Sequence, residues 1–220
     1  LDPEELIAVR DHFSQRGVHP TDVELETIAQ TWSEHCAHKT FRANITTESG
    51  ASRPSLINQL RASTDKINAP YVVSSFVGNA GIISFTPGRT LAVKCETHNH
   101  PSAIEPFGGA NTGVGGVIRD IMGAQHTPIA CTNILCFGPP DTDTLTLPEG
   151  VFPPRRTRDG VIDGIADYGN KIGLPTVAGA VLYDPGYTAN PLVYAGCIGT
   201  SNSFVDQVAP DRPYPARSLA

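Results

Sequence analysis

What this sequence lacks narrows its function first. It has no basic excess: 16 Lys plus Arg stand against 22 Asp plus Glu, a formal net charge of −6. Without surplus cations a run of backbone phosphates cannot be neutralised, which argues against a general nucleic-acid or membrane-surface binder. A single phosphate pocket built from a few placed cations remains open. No apolar run approaches the ~20 residues that cross a bilayer, and the acidic opening Leu1-Asp2-Pro3-Glu4-Glu5 is unlike a signal peptide. A soluble, unanchored protein is expected. The cysteines (Cys36, Cys95, Cys131, Cys136 and Cys197) form no CxxC pair and no zinc-knuckle spacing. An odd number of them in apolar settings such as Ile134-Leu135-Cys136-Phe137 reads as reduced, buried thiols of a cytoplasmic protein. Internal repeats and low-complexity blocks are also missing.

What is present suffices for one good core, or one core with a small appended subdomain, in 220 residues that are 40% hydrophobic. The spacing predicts a helix from Pro3 to Arg16, with Asp2 as cap, Pro3 at the first helical position and Gly17 past the end. A second helix opens on the capping box Thr21-Asp22-Val23-Glu24 and carries Leu25, Ile28 and Trp32 inward. A third covers Ser55 to Lys66. Strand patterns follow at Tyr71 to Val73, Ile82 to Phe85 and Leu91 to Cys95, punctuated by the turn signals Gly78-Asn79 and Pro87-Gly88. Further on come a helix from Val117 to Met122, a strand from Ile129 to Phe137 and a Pro-rich loop from Gly138 to Arg155. A helix from Val161 to Ile172 and strands near Val177 to Tyr183 and Leu192 to Ile198 complete the series. Mixed elements with neighbouring hairpin-like strands predict an α+β (mixed α/β) fold rather than a doubly wound parallel sheet. The expected organisation is a helical segment over 1–50, an α/β domain over 51–201, and a Pro-rich linker or tail over 202–220.

Chemistry concentrates in three places. Lys94-Cys95-Glu96-Thr97-His98-Asn99-His100-Pro101-Ser102 leaves an apolar strand, and in an extended chain Lys94, Glu96, His98 and His100 share one side. That side offers a cation for phosphate, a hard oxygen ligand for Mg²⁺ and two imidazoles that can move protons. The glycine-rich run Gly108 to Gly116 is closed by no Gly-Lys-Ser/Thr, so it is not a Walker A loop. Unobstructed backbone N–H groups before a helix could still form an anion cradle, and a tight turn under close packing is the competing reading. Arg119 and Asp120 follow it, as a fork for phosphate or carboxylate and a second magnesium ligand. The third cluster, Trp32-Ser33-Glu34-His35-Cys36-Ala37-His38-Lys39, is expected to end the second helix with His35 and His38 on one face. Histidines there are more often caps than catalysts.

Together, Trp-Ser-Glu-His-Cys at 32–36, Glu-Thr-His-Asn-His-Pro-Ser at 96–102 and Gly-Val-Gly-Gly-Val-Ile-Arg-Asp at 113–120 resemble the signatures of the phosphoribosylformylglycinamidine synthase family. The stretch from Tyr168-Gly169-Asn170 to Asn190-Pro191-Leu192-Val193 is similar to that family too, so the likeness runs over nearly the whole chain. The resemblance implies ATP- and Mg²⁺-dependent conversion of formylglycinamide ribonucleotide and glutamine-derived ammonia to the amidine, a step of purine biosynthesis. It implies His35 as an active-site residue, His98 as proton acceptor, Lys94 and His38 toward ATP, and Glu96 and Asp120 toward magnesium. Thr97, His98, Asn99, His100 and Arg119 would bind the nucleotide substrate. At position 38 the short bacterial members carry tyrosine, whereas the long members share the histidine.

The resemblance further implies the fold of the aminoimidazole ribonucleotide synthetase amino-terminal domain, a small mixed sheet with helices on one face. This chain would be its amino-terminal portion, excised or truncated. The remaining synthetase domains and a glutaminase would be its partners, and a homodimer through the sheet is the natural way to cover an exposed face. Two rival readings stand beside it. One is a metal-dependent hydrolase built on His98-Asn99-His100. The other is a non-catalytic nucleotide-binding or assembly domain.

Overall fold

A computed structural model describes residues 1–201; the expected linker from Asn202 to Ala220 lies outside the described residues. The chain divides into two compact units, Leu1–Ala69 and Pro70–Ala220. The boundary expected near residue 50 therefore moves, because the helix that follows it groups with the first unit.

In the first unit, α1 (Pro3–Gln15) starts on a reciprocal capping box: Asp2 accepts from the Glu5 N–H while Glu5 accepts from the Asp2 N–H. Helix α2 (Asp22–Thr31) starts in the same way on Thr21 and Glu24. Each box satisfies two donors that a helix start leaves unpaired, which is why both starts were readable. The second helix stops earlier than expected. Ser33 caps a separate short helix, α3 (Glu34–Ala37), and His38 adopts left-handed backbone (φ 52°) before α4 (Lys39–Arg42). His35 and His38 therefore do not share one helical face. Leu25 and Trp32, expected inward, are 38% and 40% exposed. A hairpin of β1 (Ile45–Thr46) and β2 (Ser52–Arg53) precedes α5 (Leu56–Ile67), which Ser55 caps. Lys39 ion-pairs with Glu5, and that contact holds the Glu5 carboxyl below its ordinary pKa.

The second unit is built on one six-stranded sheet. Its strands are β3 (Val72–Ser74), β4 (Gly81–Thr86), β5 (Arg89–Thr97), β6 (Thr127–Phe137), β7 (Thr176–Tyr183) and β8 (Leu192–Ser201). Their order is β3-β4-β5-β8-β6-β7, antiparallel throughout except for the parallel β6–β7 pair. Between strands lie α6 (Asn99–Ile104), α7 (Pro106–Gly123) and α8 (Pro154–Ile172). Two helices run longer than their sequence signals. Helix α7 takes in the whole glycine-rich run, and α8 starts at Pro154, inside the expected loop.

Alternation along the strands sorts the sheet's faces. Ala92, Cys131, Ala195 and Cys197 are buried in one cluster with Val114, Val117, Ile118 and Ile121 of α7. Val93, Ile134 and Leu182 point the other way and are 39%, 41% and 56% exposed. One face carries helices and the other carries exposed apolar side chains, the architecture expected of the fold. The glycines of α7 and α8 allow the close approach on the covered side. A Cβ at Gly164 would stand 2.2 Å from the Phe107 carbonyl oxygen of α7.

The cysteines divide where the sequence reading put all of them inside. Cys131, Cys136 and Cys197 are buried, but Cys36 and Cys95 are exposed, Cys95 because it lies on the bare face of β5. Cys131 and Cys197 pair across β6 and β8, and the neighbouring Cys131 thiol together with burial pushes Cys197 well above the usual thiol pKa. In the native chain two thiols should react promptly with an aromatic disulfide reagent and three only after unfolding. Five prompt thiols would contradict this burial pattern.

Candidate functional site

Strand β5 delivers the site. Lys94 and Glu96 stand opposite Cys197 and Ala195 of β8, so they lie on the helix-covered side of the sheet. Asp120 meets them from α7. The Lys94 ammonium lies 3.1 Å from Asp120 Oδ2 and 3.3 Å from Glu96 Oε2, bridging two carboxylates that are 24 residues apart in sequence. Burial alone would lower the Lys94 pKa, but the hydrogen bond and charge of Asp120, joined by Glu96, hold it above its ordinary value. The residue is therefore cationic at neutral pH. Two carboxylates with one ammonium leave a local charge of −1, which draws in further positive charge. Asp120's other oxygen, Oδ1, accepts from the Asn79 amide at 3.1 Å. The sequence reading used Asn79 only as part of a turn signal, and no local pattern announces a bond across 41 positions.

The strand ends at Thr97, so the expected alternation stops there. His98 stands at the N-terminal boundary of α6, without a side-chain capping bond, and packs against α7. Its Nδ1 lies within hydrogen-bond distance of the Gly109 carbonyl oxygen. Because a carbonyl can only accept, Nδ1 carries the proton, and in the neutral ring the lone pair lies on Nε2. A Cβ at position 113 would fall 2.8 Å from His98 Cβ, so glycine there makes room for the imidazole. Asn99 is turned toward β8, its Oδ1 accepting from the Val193 N–H at 2.8 Å. His100, expected beside Lys94 and Glu96, instead lines a recess of about 330 Å³ with Ile104, Phe152, Thr157 and Pro191. The start of α6 rotates it away. Thr97 is exposed, and Arg119 is exposed next to Asp120 without an ion-pair partner among the described residues.

The glycine run is not a loop cradle. The Gly108 N–H, in the first turn of α7, is taken by the Glu105 carboxylate, and the later N–H groups of the run bond within the helix. An interior helical N–H is already bonded and cannot receive a phosphate. Close packing is what these glycines provide. His35 and His38 belong to the first unit. A recess of about 620 Å³ between α8 and β7 is lined by Ile162, Ile165, Leu174 and Val181 and has no titratable side chain on its walls. It is not where the acid–base groups are.

Glu96 and Asp120 supply hard oxygen donors. No group of three or more His, Cys, Asp or Glu is assembled among the described residues. Mg²⁺ fits such a pair, since it keeps several waters and is commonly held by one or two carboxylates plus substrate phosphates.

Residues 77–201 match the family described as AIR synthase related protein, N-terminal domain, and residues 1–39 match the formylglycinamide ribonucleotide amidotransferase linker domain. The chain belongs to the AIR synthase-related family. Within it, the likeness is to the amino-terminal part of phosphoribosylformylglycinamidine synthase. Subunit PurL of Thermoplasma volcanium is 38% identical over 218 residues, 98% of this chain and 26% of the relative. That of Moorella thermoacetica is 44% identical over 183 residues, 83% of this chain and 21% of the relative. Among solved structures, T. maritima PurL complexed with FGAR is 34% identical with a TM-score of 0.59, over 89% of this chain and 26% of that one. The same protein complexed with ATP gives a TM-score of 0.60, over 89% of this chain and 27% of that one. The chain thus spans about a quarter of the length of the relatives it matches.

Proposed function

We propose that this chain is the amino-terminal portion of a synthetase that converts formylglycinamide ribonucleotide, ATP and ammonia to formylglycinamidine ribonucleotide. The observation that carries the reading is the Lys94-bridged pair Glu96 and Asp120, with His98 two residues after Glu96 and bonded through Nδ1 to the Gly109 carbonyl. Phosphoryl transfer is governed by placed charge, and a cation among carboxylates at a strand end supplies it. Glu96 and Asp120 would hold Mg²⁺, which when bound neutralises phosphate charge. Lys94 would contact an ATP phosphate, and Arg119 the substrate together with Thr97, Asn99 and His100. His98 Nε2 would take a proton from the incoming ammonia or the reacting amide.

His35 and His38 would serve the same reaction, as active-site and ATP-contacting residues. Ammonia would come from glutamine through a glutaminase domain or subunit, in keeping with the likeness to the structure of PurLQS from Thermotoga maritima, 33% identical with a TM-score of 0.59. The bare sheet face would be covered by the other synthetase domains or by a second copy. A cytoplasmic location suits this reading.

The hydrolase alternative loses its basis, because His98 is tied to Gly109 and His100 lines a separate recess. A non-catalytic nucleotide-binding role is the second reading. ADP release with formylglycinamide ribonucleotide, ATP, Mg²⁺ and ammonium separates the two. The 220-residue chain by itself should show no substrate-dependent turnover. Mixing it with the remaining carboxy-terminal portion should restore turnover, and a glutaminase should extend it to glutamine. Failure of every reassembled mixture, with each part folded, would favour the binding role. Robust turnover by the chain alone would show that the other domains are dispensable.

A further inference from the structure

The Asp120 carboxylate has two side-chain partners of different character. Oδ2 faces the Lys94 ammonium, and Oδ1 receives the neutral amide of Asn79. The two do not behave alike when a divalent cation approaches. An ammonium between Glu96 and Asp120 competes with the ion for the same oxygens, and its four-carbon stem lets it swing away. The amide carries no charge, bonds the oxygen on the other side, and can stay. Asn79 sits one residue before buried Ala80 and two before β4, which pairs with β5, the strand that carries Lys94 and Glu96. The amide therefore ties α7's carboxylate to the same hairpin that supplies the second carboxylate. Hydrogen bonds of this kind fix the orientation of a liganding carboxylate and commonly matter to metal affinity nearly as much as the ligands themselves.

We propose that Asn79 is a positioning residue for the metal site: it holds Asp120 turned toward Glu96 when Lys94 has given way to the ion. The inference rests on reading Glu96 and Asp120 as ligands, and the test separates the two. Mn²⁺ alone, as a spectroscopic stand-in for Mg²⁺, is titrated into the 220-residue chain and followed by the loss of its free-ion electron paramagnetic resonance signal. Four variants are compared with the parent: Asp120→Asn, Asn79→Ala, Lys94→Met, and Lys94→Met with Asn79→Ala. Removing a ligand should weaken Mn²⁺ binding most, and removing Asn79 should weaken it roughly tenfold, the low end for a hydrogen-bonding partner of a ligand. Lys94→Met should tighten binding by removing the competitor, and Asn79→Ala should cost at least as much in that background, where the amide is Asp120's remaining clamp. Melting temperatures of the Asn79 variants should stay at the parent's, because the side chain is exposed. A parent that takes up no Mn²⁺, or an Asp120→Asn variant that binds like the parent, would overturn the metal reading and this inference with it. If Asp120→Asn loses the ion while Asn79→Ala binds like the parent in both backgrounds, the metal reading stands and the positioning role is refuted.

Discussion

Replacing His98 by alanine in a complete synthetase assembled around this segment is expected to lower kcat by at least ~10²-fold, the lower end for a group that moves a proton in the transition state. The expectation comes from the tautomer. With Nδ1–H tied to the Gly109 carbonyl, Nε2 is the basic nitrogen, and the ring is held between the end of β5 and α7. Loss of an interaction made only in the transition state lowers kcat and kcat/KM together and leaves KM nearly unchanged. Gly113→Ala should reproduce part of the loss with the imidazole retained, since its Cβ would fall 2.8 Å from His98 Cβ and 3.0 Å from the ring's Cγ and displace the side chain. A His98→Ala enzyme with normal kcat and raised KM would show that the residue positions substrate instead. A Gly113→Ala enzyme of full activity would show that the ring tolerates displacement.

The second large effect is on stability. Gly164→Ala in the 220-residue chain should cost about 3 kcal/mol, at the upper end for overpacking, and lower the melting temperature by roughly 6–12 °C in a domain of this size. The added methyl would lie 2.2 Å from a backbone carbonyl oxygen of α7. No rotamer can relieve that contact, so the two helices must separate, and with them the cluster of Ala110, Leu135, Phe137, Val161 and Val193. Gly116→Ala in α7 is the matched control. Nothing lies within 4 Å of its added Cβ, and the usual gain of alanine over glycine inside a helix is about 0.5–1 kcal/mol. Opposite signs at the two positions are expected in thermal or urea unfolding. Equal, small effects at both would mean that α7 and α8 are not in close contact.

The sequence by itself determined what depends on neighbours in the chain. The capping boxes at Asp2 and Thr21 bond within three residues, so both helix starts were legible. Alternation in Leu91 to Cys95 and Leu192 to Ile198 marked strands that half-bury, and the motif residues at 94–100 and 119–120 were visible as chemistry before any fold was known. The tertiary structure decided the rest, because each remaining feature depends on a surface supplied from far away. Glycine lowers helix propensity, so Pro106 to Gly116 did not read as helix. Packing against α6, α8 and the sheet makes it one. His98 and His100 alternate with Glu96 only while the chain stays extended, and the start of α6 sends them to different surroundings. Cys95 looks like its buried counterparts locally but falls on the face that no helix covers. Lys94, Glu96 and Asp120 become one site, with Asn79 beside them, only when β5 is laid under α7. Two carboxylates 24 positions apart, and an amide 41 positions from its carboxylate, meet through that packing, and no periodicity along the chain records it.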